Sequence, residues 1–126
     1  MTSESSTPHA IEGLWLPVRA ELDGVEAPAM ALERIELTLR SGKYAVCFAG
    51  EHHDRGHYEL ITVESGHARL TLTSKHGENA GRIFASIYQL AGNRLRICYG
   101  LDGVTPDAFA TKIDSQRYLV TYRRKE

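Results

Sequence analysis

Charge of one sign, long apolar runs and cysteine are all scarce in this chain, and each scarcity excludes a class of function. Fifteen Lys and Arg stand against sixteen Asp and Glu, a formal net charge of -1. Without a positive long-range field to draw it to phosphates, the protein is not expected to bind nucleic acid. No apolar run approaches the roughly 20 residues that cross a bilayer, and the first ten residues, MTSESSTPHA, have neither the basic nor the apolar region of a secretory signal. The expectation is a cytoplasmic protein with no membrane partner. There are two cysteines, Cys47 and Cys98, each inside an apolar β-type run where a free thiol behaves as a small buried hydrophobe. Neither has a base beside it in the chain to activate it as a nucleophile. A P-loop, a dinucleotide-binding glycine fingerprint, a Gly-x-Ser-x-Gly elbow and a Cys-x-x-Cys pair are also missing, so no cofactor is expected.

What is present is an ordinary globular composition, 42% apolar and 25% charged over 126 residues, which is enough for one core and one domain. Residues 1–10 are too polar to contribute to it and read as a flexible tail, leaving 11–126 as the domain. From Ile11 onward, short β-type runs alternate with Gly-, Asn- and Asp-containing breaks. Residues 34–40 place Ile35, Leu37 and Leu39 on one face, and Ala68, Leu70 and Leu72 repeat that period-two pattern. Asp23-Gly24, Ser41-Gly42 and Glu64-Ser65-Gly66 read as turns, and residues 82–90 and 94–99 form a hairpin across Gly92. Residues 50–56 and 74–81 read as polar loops, 108–112 as a brief strand, and 27–33 as the one short helical turn. Eight or nine consecutive strands with short connections define an all-β sandwich or an up-and-down barrel.

The choice between these rests on Gly13-Leu14-Trp15 at the start of the first strand and Arg123 or Arg124 at the end of the last. A Gly-x-Trp matched by a late arginine over the indole resembles the closing feature of the calycin superfamily, which includes the lipocalins. Such a contact contributes about 0.5 to 2 kcal/mol and ties the first strand to the last. The remaining pattern is similar to a small bacterial lipocalin-like domain family of largely unknown function, abundant in planctomycetes. It is carried by Leu22-Asp23-Gly24, Gly56-His57-Tyr58-Glu59-Leu60, Ile87-Tyr88-Gln89-Leu90, Leu95-Arg96-Ile97-Cys98 and Pro106-Asp107-Ala108-Phe109. The chain departs from that family at Ala68-Arg69, where an acidic residue is usual, and at Gly81-Arg82, where the family has Gly-Lys. The resemblance implies an antiparallel up-and-down lipocalin-like β-barrel of about eight strands, and a small organic molecule as the partner held inside it. It carries over no catalytic residue, because fold alone supplies no activity.

On this reading Trp15, Tyr58 and Tyr88 are candidate ligand-binding residues, with Arg19, Glu21 and Arg96 as candidate polar anchors. Strict alternation from an inward Trp15 sends Arg19 and Glu21 inward as well. Either the cavity is partly charged or the strand is bulged near Pro17, where proline sits comfortably. Residues 82–90 are apolar on both faces, so the outer face needs a cover, either the helical turn at 27–33 or the partner subunit of a homodimer. His52, His53 and His57 match no strong metal motif and read as solvated loop histidines, so no metal is expected, and His57 is the better candidate as an acid or base. Two competing expectations are a cofactor-independent enzyme of cyclase, isomerase or hydratase type, with His57, Glu21 or a tyrosine hydroxyl carrying the proton, and a side-chain-filled interaction module.

Overall fold

The computed structural model describes residues 10–63 and 66–125. The tail expected at 1–10, apart from Ala10, and the first two residues of the turn expected at 64–66 lie outside them. The strands are β1 (Gly13–Leu22), β2 (Val25–Glu26), β3 (Ile35–Arg40), β4 (Lys43–Phe48), β5 (Glu51–Ile61), β6 (Ala68–Gly77), β7 (Ile83–Ala91), β8 (Arg94–Gly100) and β9 (Arg117–Arg124). One short helix, α1 (Ala29–Leu32), follows β2 and delivers Leu32 to the core. Every pairing is antiparallel: β1 pairs with β2 and with β3, each strand from β3 onward pairs with the next, and β1 also pairs with β9. Apart from the two-residue ribbon β2, the result is a closed eight-stranded up-and-down barrel, an architecture compatible with a lipocalin-like fold.

Closure works as the ends of the chain require. Trp15 lies opposite Arg124 in the β1–β9 register, and the Arg124 guanidinium carbon sits 4.3 Å from the indole centre. The indole is fully buried and donates from Nε1 to the Ile11 carbonyl at 2.9 Å, while Arg124 donates to the carbonyls of Ala10 and Glu12 and to Asn93. Gly13 has φ +145°, and a Cβ there would stand 2.8 Å from Arg124 Nη1. The glycine of Gly-x-Trp is therefore what lets the guanidinium reach the ring.

The tight turns follow their residues. Asp23-Gly24, Ser41-Gly42 and Ala49-Gly50 each hold two consecutive positive φ angles, 51° and 87°, 54° and 78°, 54° and 86°, the geometry that matches strand twist in a two-residue hairpin. The third of these corrects the sequence reading. Residues 51–56 are the opening of β5 and not a loop, and β6 likewise runs on to Gly77 instead of ending before Ser74.

Two further expectations change. Residues 108–112 form no strand; they belong to an irregular strap, 101–116, laid across the outside of the barrel. Phe109 of this strap packs on His67 and Arg96, and the Ala110 carbonyl lies 3.9 Å from Cys98 Sγ. Ile87 and its cross-strand partner Cys98 are buried beneath it, at 2% and 0% exposure. The cover that the outer face of β7 needs there is thus the chain's own strap, and not the helical turn, which packs on β1.

The interior divides along the barrel axis. At the end holding the 40–43 and 91–94 hairpins, Ile11, Trp15, Leu39, Leu70, Leu95 and Ile97 pack with no exposure at all. At the other end, where the strap, α1 and the 48–51 hairpin lie, the barrel is hollow.

Candidate functional site

The hollow end is a cavity of about 500 Å³, within the roughly 300 to 1,000 Å³ typical of small-molecule sites. Its walls are apolar, Ile35 and Leu37 from β3, Val46 from β4, Leu72 from β6 and Phe84 from β7, with Leu101 near the mouth. Tyr44, Phe48, Phe84, Tyr99, Tyr118 and Tyr122 bring six aromatic rings to it. At the mouth His53 Nδ1 faces Glu78 at 3.4 Å and its ring meets Phe48 edge-on.

The polar groups sit deep inside. Asp54 is 8% exposed; its Oδ2 accepts from the Tyr44 hydroxyl at 3.0 Å and its Oδ1 from the Ser74 hydroxyl. The local sequence explains the convergence. In the sheet register Gly56 lies between Tyr44 and Ser74, and a Cβ there would collide with the Thr73 carbonyl at 1.9 Å. With no side chain between them, Tyr44 and Ser74 close over Gly56 and meet at the carboxylate two residues earlier. Bulges at His53 and Lys75, where the β4–β5 and β5–β6 registers shift, aim Asp54 inward. Beside this trio the hydroxyls of Tyr99 and Tyr122 are 2.7 Å apart, and the Tyr99 and Tyr118 rings stack at 5.6 Å.

Burial pushes the phenol pKa values of Tyr44, Tyr99, Tyr118 and Tyr122 above the ordinary tyrosine range, so these groups stay protonated and act as hydrogen-bond donors or acceptors. Among the described residues no lysine or arginine lines the cavity. Among the described residues, no basic nitrogen lies within 4.0 Å of the Asp54 carboxylate.

The residues singled out from sequence lie elsewhere. Trp15 is sealed in the packed end. Tyr58 and Tyr88 are half-buried against that core and do not line the cavity. The β1–β9 register shifts between Pro17 and Arg19, so the bulge, and not the charged interior, resolves the conflict in the first strand. It returns Ala20 to the inside and turns Arg19 and Glu21 outward, where Arg19 pairs with Glu26 and Glu21 accepts from Thr111 at 2.5 Å. Arg96, also outside, stacks over Phe109 and donates to Gln89 at 2.7 Å. Arg19, Glu21 and Arg96 do come together, but around a shallow external groove of about 200 Å³.

A second concavity, about 560 Å³, is a dent in the outer face of β3–β6 edged by Arg40, Lys43, Arg55, His57, Lys75 and His76. It is larger than the interior cavity, yet its edge consists of exposed side chains around an open sheet face. The interior is the stronger ligand site because buried walls, and not volume, exclude water. Among the described residues no three His, Cys, Asp or Glu side chains converge as a metal site requires. The hairpin at 48–51 brings His52 Nδ1 within 3.4 Å of Cys47 Sγ, a base that the chain order does not reveal. The pair lies in the outer row with Glu36. No helix among the described residues is long and apolar enough to cross a membrane.

Compared with protein-family models, with curated proteins and with solved structures, the chain matches none.

Sequence reasoning missed Asp54 and Ser74 because their segments are polar. Period two, carried back from Leu60 through Tyr58 and Gly56, would have placed Asp54 inward, and the Ala49-Gly50 turn would have started the strand early enough to include it.

Proposed function

We propose that this protein binds a small organic molecule inside its barrel, as the resemblance to bacterial lipocalin-like domains implies. One observation carries the reading: a cavity of about 500 Å³ with apolar walls is left unfilled in a barrel whose other end is packed without exposure. Apolar walls of this extent that face solvent forgo the gain of burial, and an apolar ligand that covers them recovers it. The aromatic walls suit a flat or aromatic body, and the trio at Asp54 suits one polar end.

The neutral dye N-phenyl-1-naphthylamine provides the test. Its fluorescence should rise saturably with the wild-type protein. Val46→Trp, which places an indole in the cavity, should abolish that rise while leaving the β-sheet circular dichroism unchanged. Equal dye binding by both proteins would exclude the cavity as the site.

A further inference from the structure

Resting on the reading of the barrel as a binding protein, we infer that the ligand is a cation, a protonated amine attached to an apolar or aromatic body, whose ammonium group bonds to Asp54. A buried carboxylate is costly unless a counter-charge or a metal accompanies it. Asp54 is 8% exposed, and among the described residues it has two hydroxyl partners and no cation. Tyr44 and Ser74 each contribute one hydrogen bond, which leaves acceptor sites on a carboxylate that can take about four. An ammonium group has three donors and the missing charge.

The surroundings favour the same class of ligand. The rings of Tyr99, Tyr118 and Tyr122 line the cavity, and aromatic rings are a recognised environment for ammonium groups. Besides the four tyrosines, and Cys47, whose side chain lies in the outer row, the ionisable residues that line the cavity among the described ones are Asp54, Glu78 and His53, so the two carboxylates outnumber the one imidazole. The basic side chains lie on the outer face, where Arg40, Lys43, Arg55 and Lys75 edge the external dent. An anionic ligand would meet Asp54 unscreened, and a neutral one would leave its charge without a partner.

The test is competition against N-phenyl-1-naphthylamine at pH 7 by three compounds of similar size: phenethylammonium, 2-phenylethanol and 3-phenylpropanoate. The ammonium should displace the dye about tenfold to a hundredfold more effectively than the alcohol, the ratio expected of a charge-assisted hydrogen bond over its absence. The carboxylate should be the weakest. In Asp54→Asn the dye should still bind, and the ammonium should fall to the level of the alcohol. Should Asp54→Asn fail to fold, the wild-type ranking alone decides. Displacement by the ammonium no better than by the alcohol, including none by either, overturns the inference while leaving cavity binding intact. Preference for the carboxylate also overturns it, and failure of the dye itself to bind defeats the binding reading on which it rests.

Discussion

Removing one member of the trio around Asp54 should destabilise the barrel more than removing all three. Ser74 is fully buried and its hydroxyl donates to the Asp54 carboxylate. In Ser74→Ala the charge stays buried with one donor fewer, and hydrogen bonds to charged groups contribute about 1.5 to 3 kcal/mol. With a urea m-value near 2 kcal/mol/M, the unfolding midpoint should fall by about 1 M. In the triple variant Tyr44→Phe, Asp54→Leu, Ser74→Ala no polar group is left unpaired, and replacing buried polar clusters by apolar groups of similar shape is neutral or stabilising. Its stability should lie within about 1 kcal/mol of wild type or above it. Such a gain would mark the trio as retained for binding at the expense of stability. Urea unfolding followed by Trp15 fluorescence measures both variants. A Ser74→Ala loss below about 0.5 kcal/mol, the size of an ordinary surface change, would refute the reasoning, as would a triple variant as unstable as its three single changes summed.

Alkali should unfold the protein steeply. The buried phenols of Tyr44, Tyr99 and Tyr122 have raised pKa values in the fold, so above pH ~10 the unfolded chain loses protons that the folded one keeps. The stability they contribute is complete below that pH and falls by about 1.4 kcal/mol per tyrosine per pH unit, near 4 for the three together; a urea midpoint unchanged from pH 9 to 11 would contradict this. Arg124→Met keeps the bulk over the indole but removes the cation–π contact and the hydrogen bonds that close the barrel. A loss of about 1 to 3 kcal/mol is expected in thermal or urea unfolding, and a variant as stable as wild type would show that closure rests elsewhere. Burial raises the Cys98 thiol pKa above its ordinary range, whereas Cys47 is only half-buried. One thiol per folded chain should therefore react with Ellman's reagent and the second only in denaturant, while rapid reaction of both would mean that the strap over Cys98 opens.

Closure was legible because its residues are rare types with one geometric use: a single tryptophan, the glycine that clears its partner, and a terminal arginine. The turns at Asp23-Gly24 and Ser41-Gly42 were legible from a glycine that follows Asp or Ser. The cavity was not, and the reason is physical. Period-two reading finds strands by apolar inward residues, but at the site the inward residues are Asp54, Gly56 and Ser74. The feature that makes the site useful is the one that makes its strands look like loops. Strict period two could not decide between an inward and an outward Arg19 and Glu21, since a single bulged residue, Val18, reverses every later side chain of β1. The strap at 101–116 was unreadable for another reason, because its order comes from contacts with distant strands and not from local periodicity.

The most direct test of a ligand-holding barrel is to follow the backbone amides by nuclear magnetic resonance while N-phenyl-1-naphthylamine is added. Shifts should concentrate at Leu37, Val46, Asp54, Phe84, Tyr99 and Tyr122. Shifts confined to the external groove at Arg19 and Arg96 or to the outer dent at Lys43 and Arg55, or no shifts at all, would contradict it.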